Sequence, residues 1–414
     1  MAQINITINQ DEILGLLSTG SPDAFKVMLT NSINAILKTE SAEQLGAEPY
    51  ERTEERIDSR NGFRQRKLNT RIGTLTLNVP RHRNQPFKTM IFENYSRSEA
   101  ALIACMSEMV VNGVSTRKVT RVVETLCGIS VSKSAVSELC KDLDKEVENF
   151  RTRPLNSSYP FVIIDATYFK VRDDHRVVSK AMMVACGTTV DGSREILGLE
   201  VMPKESTETW TKFLTSLRDR GLKGVLMFTS DAHDGMVRAM GSVFPDVPWQ
   251  RCQFHFTRNI AAKAPQKYQA GLSAELQEMF YADSLKEAQK IRDTILEEYR
   301  DVAESAMECL ENGFSDSMTV MVLPKGLRRY YRTSNHIERI NRELKRRSKA
   351  MVVFPNESSL LRLMGSVLIE HNDRSLNARK IFSDETYKKL ISSNVPSELR
   401  SIAGEQRNLL AARS

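Results

Sequence analysis

The stretch FVIIDATYFKVRDDHRVVSKAMMVACGTTVDGSREILGLEVM, residues 161–202, decides the fold. It contains three apolar, β-rich runs, at residues 161–171, 177–189 and 196–202. The pairs Asp173-Asp174 and Asp191-Gly192, which favour turns, separate these runs. Apolar runs of this length with turn residues between them predict three antiparallel strands joined by hairpins.

Downstream of this meander the pattern alternates between helix and strand. We predict a helix at 208–220, a strand at 224–229, a helix after Asp231 and a short strand near 249–254. Three hairpin-linked strands followed by such alternation is the order of a ribonuclease H-like fold, in which the later strands run parallel to the first. The predicted fold class is therefore α/β, with a mixed five-stranded sheet.

The segments around this core are predicted to be mainly helical. Residues 256–325 show no strand pattern and read as an all-α insertion. The N-terminal region is predicted to be mainly α. From the N-terminus, the predicted regions are a helical region at 1–58, for dimerisation or DNA binding, a basic β-hairpin at 59–95 and a helix-turn-helix-like region at 96–152. The core follows in two parts, 159–255 and 326–380, which the insertion at 256–325 separates, and a helical tail is predicted at 381–414.

Composition narrows the class of protein. A chain of 414 residues with 41% hydrophobic content is expected to form more than one domain. The net charge of +7 favours a polyanionic partner. No apolar run approaches the ~18 residues that span a bilayer, and six scattered cysteines indicate free thiols, so we expect a cytoplasmic, nucleoid-associated protein without a membrane segment.

A basic segment precedes the predicted core. Residues 59–92 contain no Asp or Glu, and a short strand with alternating Leu75, Leu77 and Val79 follows a turn at Gly73. A solvated charged face is one interpretation and contact with DNA phosphates is the other, which the complete absence of acids favours. The basic residues of this segment are Arg60, Arg64, Arg66, Lys67, Arg71, Arg81, Arg83 and Lys88.

Residues 115–144 are typical of two helices joined by a turn. Gly128 interrupts the apolar stripe of the first helix, and Ser132 can cap the second. If this is a helix-turn-helix, Lys133, Ser134 and Ser137 face the major groove. An ordinary helical hairpin is the alternative.

Two aspartates occupy positions suited to chemistry. Asp165 lies inside a strand apolar enough to be central, where a carboxylate must be paired, hydrogen-bonded or bound to a metal. Asp231 follows a strand at its carboxyl end, where open α/β sheets collect ligands. The alternatives are a solvated face for Asp165 and a helix N-cap for Asp231.

Glu338 lies on a predicted helix with Asn335 and Arg342 on the same side. A lone glutamate on a polar helix is usually solvated, but this helix is strongly basic and suits a phosphate-lined site. Glu343 is the rival candidate and lacks the Asn-x-x-Glu setting. The cations considered for DNA contact are Arg339, Arg342, Lys345 and Arg346.

Three acids have a chemical rationale. Two Mg²⁺ ions about 3.5 to 4 Å apart activate the nucleophile and stabilise the leaving oxygen when a phosphodiester is attacked. Mg²⁺ prefers oxygen ligands and keeps several waters beside a few carboxylates. We expect Asp165 to bridge two Mg²⁺ ions per site, with Asp231 on one and Glu338 on the other, and expect that Mn²⁺ can substitute.

Four motifs in this order carry a resemblance over nearly the whole chain. The sequence resembles the Mutator-type transposases of bacterial insertion sequences, a branch of the DDE transposase superfamily. The motifs are DATYFKVR at 165–172, SDAHDG at 230–235, WQRCQFHFTRN at 249–259 and TSNHIERIN at 333–341.

The resemblance implies a fold, an activity and partners. It implies a ribonuclease H-like core, Mg²⁺ dependence, catalytic acids at Asp165, Asp231 and Glu338, binding of terminal inverted repeats by the N-terminal region, and strand transfer into target DNA. Because two DNA ends must meet, a homodimer or larger assembly on double-stranded DNA is expected.

Other residues near these motifs have two interpretations each. Cys252 and His255 form a Cys-x-x-His pair, but no second pair follows for a four-ligand zinc site, so we interpret them as shaping the active site. Trp210 is either a core residue or an aromatic that stacks on a flipped base. His233 is either structural or a phosphate contact.

Two other functions stay open at this point. A non-catalytic, sequence-specific DNA-binding regulator would use the N-terminal region alone. A junction or repair nuclease of the ribonuclease H-like class would hydrolyse strands without joining them.

Overall fold

The computed structural model describes residues 22–51, 56–70, 72–89, 91, 100–112, 114–127, 129–140, 142–349 and 351–412. The chain divides into two compact units, Met1–Lys141 and Asp142–Ser414. Predictions for residues 10–21, Arg71, Gly128 and the Ser137 side chain lie outside the described residues. Among the described helices, none is both long and apolar enough to cross a membrane.

The first unit contains a helix and a β-hairpin that pack together. Helix α1 is Pro22–Leu45, and the antiparallel strands are β1, Arg60–Thr70, and β2, Gly73–His82. The predicted alternation in β2 is confirmed, because its leucines and Val79 face α1 while the residues between them are exposed or partly buried. The shared core consists of Leu37, Leu68, Leu75, Leu77 and Val79.

Three short helices follow in the described part of this unit. They are α2, Ala100–Val111, α3, Thr116–Cys127, and α4, Lys133–Leu139. The predicted cap is confirmed, since the Ser132 side chain accepts a 3.0 Å hydrogen bond from Ala135 N. The apolar stripe predicted for α3 is buried only in part, because Val119 and Val123 are buried while Val122 and Leu126 are exposed.

The second unit is built on a mixed five-stranded sheet, as predicted. The strands are β3 Phe161–Asp173, β4 Arg176–Thr188, β5 Arg194–Met202, β6 Met227–Ser230 and β7 Trp249–Arg251. Their order in the sheet is β5-β4-β3-β6-β7. β3, β4 and β5 form the predicted antiparallel meander, and β6 and β7 extend it in parallel.

The two hairpin turns need left-handed backbone. The first turn is centred on Asp174 and His175, with φ of 44° and 64°, one residue later than predicted. In the second, Gly192 has φ of 84°, and an added Cβ would meet the backbone of Phe382 at 2.2 Å. Glycine is therefore required at 192 for both conformation and space.

Helices cover both faces of the sheet. α5, Asp142–Thr152, precedes the sheet. α6, Thr207–Asp219, and α7, Asp234–Val243, pack on the sheet face that contains Phe228, and Trp210 of α6 belongs to the core between them. The predicted insertion consists of four helices with their own apolar core around Phe256, Leu276 and Leu310. They are α8 Gln253–Lys263, α9 Gln266–Tyr281, α10 Leu285–Tyr299 and α11 Glu304–Ser317.

The remaining helices return to the sheet. After a 3₁₀ turn at Thr319–Val322 come α12 Lys325–Tyr331, α13 Asn335–Ser348, α14 Glu357–Leu376, α15 Asp384–Ile391 and α16 Val395–Ala412. The segment predicted as a tail, 381–414, contributes Phe382, Leu390 and Leu399 to a core shared with β3 and β6. It is an integral part of the second unit.

One boundary differs from the sequence prediction. The sequence predicts that the helix-turn-helix-like region extends to residue 152, but α5 belongs to the second unit, which begins at Asp142. Its Asp144 pairs with Arg362 at 2.7 Å, and its Arg151 pairs with Glu200 at 2.6 Å. These ion pairs hold α5 against α14 and β5. Contacts between segments so far apart in the sequence leave no signal in a local sequence pattern.

Candidate functional site

The register of the parallel strands β3 and β6 directs Asp231 toward Asp165. The register pairs β3 with β6 at a constant offset of 66 positions, and Asp165 and Asp231 are separated by the same 66 positions. The observed pairs are Phe161 with Met227, Val162 with Phe228 and Ile163 with Thr229. Since β6 ends at Ser230, Asp231 lies directly beyond its carboxyl end, beside the middle of β3.

The environment of Asp165 disfavours its charge. Burial raises its pKa, and the negative charges of Asp231 and Glu338 raise it further, to about 7. A carboxyl group at this position has a high affinity for a proton or another cation, because a positive charge relieves the repulsion between the acids. After burial, the charge of Asp231 raises the pKa of Asp165 the most, so the raised pKa depends on the neighbouring acid as well as on the position of Asp165 itself.

Glu338 reaches this cluster from α13. The buried Ile337, Ile340 and Leu344 hold the apolar face of α13 inside the second unit, and α13 packs against β3. Asn341, one turn after Glu338, donates a 2.8 Å hydrogen bond from Nδ2 to Asp165 Oδ2. Glu338 is therefore on the helix face that meets the strand of Asp165.

A second set of contacts holds Glu338 from the other side. The Ser334 hydroxyl donates to Glu338 Oε1 at 2.8 Å, and its oxygen is 3.2 Å from Cys252 Sγ. His255 Nε2 lies 3.8 Å from the same Glu338 oxygen. Cys252 and His255, which sequence analysis interpreted as residues that shape the site, thus adjoin one of the three acids.

The thiol and the imidazole influence each other. Interaction with the Cys252 side chain raises the pKa of His255 to about 9. Burial opposes ionisation of Cys252, but contacts with His255 and Ser334 hold the pKa of this thiol below its ordinary value. The positive charge of the protonated His255 ring in turn lowers the pKa of Asp165.

Glu343, the rival for the third acid, has different partners. It accepts hydrogen bonds from Arg346 at 2.5 Å and Arg347 at 2.8 Å. The Arg346 guanidinium holds the pKa of Glu343 low, at about 2, with help from Arg347. These contacts tie Glu343 to its own helix, whereas Glu338 interacts with Asp165.

The donor set fits a hard divalent cation. Asp165, Asp231 and Glu338 contribute carboxylate oxygens, the ligand type that Mg²⁺ prefers. The raised pKa of Asp165 is an independent sign of fit, because it results from burial and from like charges brought close together.

Several residues predicted to shape the site are placed elsewhere. Trp210 is completely buried and packs edge-on against Phe213, so it is a core residue and its ring is not accessible to a base. Asn335 is exposed, and Ser334 rather than Asn335 contacts Glu338. His233, considered for phosphate contact, lies beside Asp231, and its backbone N–H donates to Asp231 Oδ1 at 3.3 Å.

The residues considered for DNA contact fall into three groups. On α13, the exposed cations share the helix of Glu338, and Arg346 also pairs with Glu343; these cations are Arg339, Arg342, Lys345 and Arg346. In the first unit, Arg64, Lys67, Arg81, Arg83, Lys133 and Ser134 are exposed and Arg66 is partly buried. Arg60 differs, because its guanidinium bonds the carbonyl oxygens of Ala47 and Glu48.

Two residues of the site, Ser334 and Asn341, lie inside the motif at 333–341 but have no role in the sequence-based prediction. Asn341 follows Glu338 by three positions, the spacing of neighbours on one helix face, and this spacing is a usable signal. The position of Ser334 against Cys252, 82 residues away, has no local signal.

The chain matches one family over most of its length. Residues 2–378 match the family described as Transposase, Mutator family. Among similar proteins, the transposase for insertion sequence element IS256 in transposon Tn4001 of Staphylococcus aureus is 40% identical over 92% of this chain and 98% of its own length. The transposase for insertion sequence element ISRM5 of Rhizobium meliloti is 37% identical, over 87% of this chain and 90% of its own.

A mycobacterial relative gives the same result. The transposase for insertion sequence element IS1081 of Mycobacterium tuberculosis is 36% identical over 88% of both chains. The chain therefore belongs to the Mutator family of transposases.

Proposed function

We propose that this protein is a DNA transposase that binds the terminal inverted repeats of an insertion sequence and catalyses Mg²⁺-dependent strand cleavage and strand transfer into target DNA. The observation that supports the proposal is that three acids from distant segments come close enough for Asp231 and Glu338 to raise the pKa of Asp165. Asp231 directly follows β6, the parallel neighbour of β3, and a hydrogen bond from Asn341 ties the helix of Glu338 to Asp165.

Asp165, Asp231 and Glu338 would hold the metal. When bound, two Mg²⁺ ions lower the pKa of the attacking water or 3′-hydroxyl and stabilise charge on the leaving oxygen. Mn²⁺ offers the same oxygen-ligand chemistry and would substitute.

The surrounding residues position these acids. Asn341 fixes one carboxylate oxygen of Asp165, and Ser334 fixes one oxygen of Glu338. His255 places positive charge beside Glu338 and Asp165, which offsets their repulsion before any cation binds. Held in this way, the carboxylates need little reorganisation to accept a cation.

The basic face of α13 would bind the DNA backbone next to the acids. Arg339, Arg342 and Lys345 are exposed on the helix that carries Glu338. Each lysine or arginine placed on a phosphate releases a condensed counterion, so affinity should fall steeply with salt. This arrangement would bring a scissile phosphate to the site without reading its sequence.

Recognition of the element ends is assigned to the first unit. The hairpin β1–β2 has no acidic residue, and α3 and α4 are the two helices of the proposed helix-turn-helix. The strand order of the second unit, three antiparallel strands continued by two parallel ones, supports a ribonuclease H-like core. A dimer is the smallest assembly that joins two DNA ends.

A strand-transfer assay tests the proposal. The full chain is incubated with duplexes that carry the element ends, a target plasmid and Mg²⁺. Asp165→Asn, Asp231→Asn and Glu338→Gln should each lose more than about 100-fold in joined product. Glu343→Gln, a matched change on the same helix, should retain activity.

The products distinguish the other functions. Hydrolysed strands without joined product would indicate a nuclease of the same fold. DNA binding with no cleavage in Mg²⁺ or Mn²⁺ would indicate a regulator. An inactive Glu343→Gln beside an active Glu338→Gln would reject the assignment of the third acid.

A further inference from the structure

Three potential metal ligands of mixed chemistry meet beside the carboxylate cluster. The ligand atoms of Cys252, His255 and Glu338 all lie within 4.8 Å of one another. Cys252 is the N-cap residue of α8, His255 lies one turn further along α8, and Glu338 comes from α13. The sequence offered only the Cys-x-x-His pair, and folding adds the third ligand.

The distances suit a small tetrahedral cation. Zn²⁺ binds sulfur at about 2.3 Å and nitrogen or oxygen at about 2.0 to 2.2 Å, so its ligand atoms lie roughly 3.3 to 3.7 Å apart. The distance from His255 Nε2 to Glu338 Oε1 is 3.8 Å, too long for a hydrogen bond but close to this ligand spacing. The other ligand atoms lie within 4.8 Å, so a contraction of at most about 1 Å would complete the geometry.

The ligand types select against magnesium. Thiolate and imidazole are softer donors that suit Zn²⁺, while Mg²⁺ requires oxygen ligands. Three protein ligands with a water as the fourth form the usual open zinc site. Ser334, whose hydroxyl contacts both Glu338 Oε1 and Cys252 Sγ, provides the outer contacts that orient such ligands.

We propose that Cys252, His255 and Glu338 form a binding site for Zn²⁺ or a similar thiophilic divalent cation, separate from the Mg²⁺ role of the three acids. On binding, the thiol proton and any proton on the coordinating imidazole nitrogen are released to solvent. Binding does not depend on the proposed function. Its consequence does rest on it: an ion that takes Glu338 removes one ligand from the catalytic set, so zinc restrains strand cleavage.

Cobalt is the probe for the site, because Co²⁺ adopts zinc geometries and reports thiolate ligation by its absorption. The full chain is titrated with Co²⁺ without DNA. We expect one ion per chain, with the intense visible bands of tetrahedral cobalt and a thiolate charge-transfer band, all displaced by one equivalent of Zn²⁺. A weak octahedral spectrum would overturn the proposal.

Matched variants locate the ligands. Cys252→Ser should abolish the thiolate band, while Cys309→Ser, a free thiol in the same unit, should leave it unchanged. Because Cys252 is buried, the partly exposed His255→Ala provides a second test, with circular dichroism to verify folding. A Cys252→Ser variant that keeps the thiolate band would reject the assignment.

Zinc titration of Mg²⁺-dependent cleavage tests the consequence. Each variant is normalised to its own zinc-free rate. Wild type should lose at least tenfold at zinc concentrations that saturate the site, and Cys252→Ser should need at least tenfold more zinc for the same loss. Equal zinc sensitivity of wild type and Cys252→Ser would overturn the inference that zinc bound at this site restrains cleavage. Absence of cleavage without zinc would reject the proposed function and leave the cobalt result as the test of the site.

Discussion

Asn341 donates a 2.8 Å hydrogen bond to Asp165, although 176 residues separate them in the sequence. The contact joins α13 to the middle of β3 and so fixes where Glu338, on the same face of α13, meets the two aspartates. The Asn341 side chain is nearly buried, so water competes little for this bond. The position of Glu338 relative to Asp165 thus depends on the uncharged side-chain amide of Asn341.

Replacing Asn341 with alanine should reduce activity without unfolding the protein. Loss of a residue that orients a metal ligand typically costs about 10- to 100-fold in metal affinity or activity. We expect a loss of that size in strand transfer, partly recovered at high Mg²⁺. Asn335→Ala, an exposed asparagine on the same helix, is the control and should be unaffected. Equal activities of the two variants would show that Asn341 does not position Asp165.

Glu343→Gln should lower stability and spare chemistry. Glu343 neutralises the nearly buried Arg347, and losing a hydrogen bond to a charged group costs on the order of 1 to 3 kcal/mol. The pKa of Glu343 is held at about 2, below its usual 4.5, so this stabilisation is present above pH 4.5 and is lost as pH falls toward 2. Thermal denaturation of both proteins from pH 7 to pH 3 should show the difference shrinking. A constant difference would contradict the ion-pair explanation.

Asp165→Asn should abolish activity and stabilise the metal-free protein. Its pKa is raised from 3.8 to about 7, so the folded protein is favoured below pH 3.8 and progressively loses this advantage as pH rises through 7. An amide carries no charge and escapes this penalty. At pH 8 we expect a gain of at least about 1 kcal/mol, or roughly 2 °C in Tm, which disappears near pH 4. A variant less stable than wild type at pH 8 would indicate that Asp165 is not repelled by its neighbours.

The local features of the sheet could be predicted from sequence because they are encoded locally. The runs at 161–171, 177–189 and 196–202 predicted β3, β4 and β5 to within a few residues, since hairpin strands depend on neighbouring turns and on apolar content. The cap at Ser132 followed from the same kind of local signal.

The contacts between distant segments could not be predicted in this way. The contact of Ser334 with Cys252 joins the N-terminal ends of α13 and α8, which lie 82 residues apart in the sequence and are brought together only by tertiary packing. For the same reason the sequence showed the pair Cys252 and His255 but not its approach to Glu338. Trp210 has two interpretations from sequence, and its burial in a core shared with Val162 and Phe228 decides between them.

Gln406 extends the site into the C-terminal helix, beyond the family match that ends at residue 378. Its side-chain amide accepts from Trp249 N and donates to Trp249 O, both at 2.8 Å, and so pairs with the edge strand β7 as another strand would. Trp249 Nε1 in turn donates at 2.8 Å to Ser230 Oγ, and that hydroxyl donates at 2.8 Å to the carbonyl oxygen of Asp231. The helix is therefore connected to a catalytic candidate through three hydrogen-bonding side chains.

Gln406→Ala should weaken this connection measurably. Leaving the buried backbone N–H of Trp249 without its partner costs about 1 to 3 kcal/mol, and hydrogen exchange in β7 should accelerate accordingly. The Trp249 carbonyl oxygen still accepts a 2.9 Å hydrogen bond from the Thr319 hydroxyl. Strand transfer should fall as well, because the loop of Asp231 loses its support. Arg407→Ala is the matched control: its side chain is half exposed and its carboxylate partner, Asp246, is 3.9 Å away, so neither stability nor activity should change. If both variants exchange the amides of β7 at the wild-type rate, α16 does not hold the edge of the sheet, and Asp231 must be positioned by β6 and the N-terminus of α7 alone.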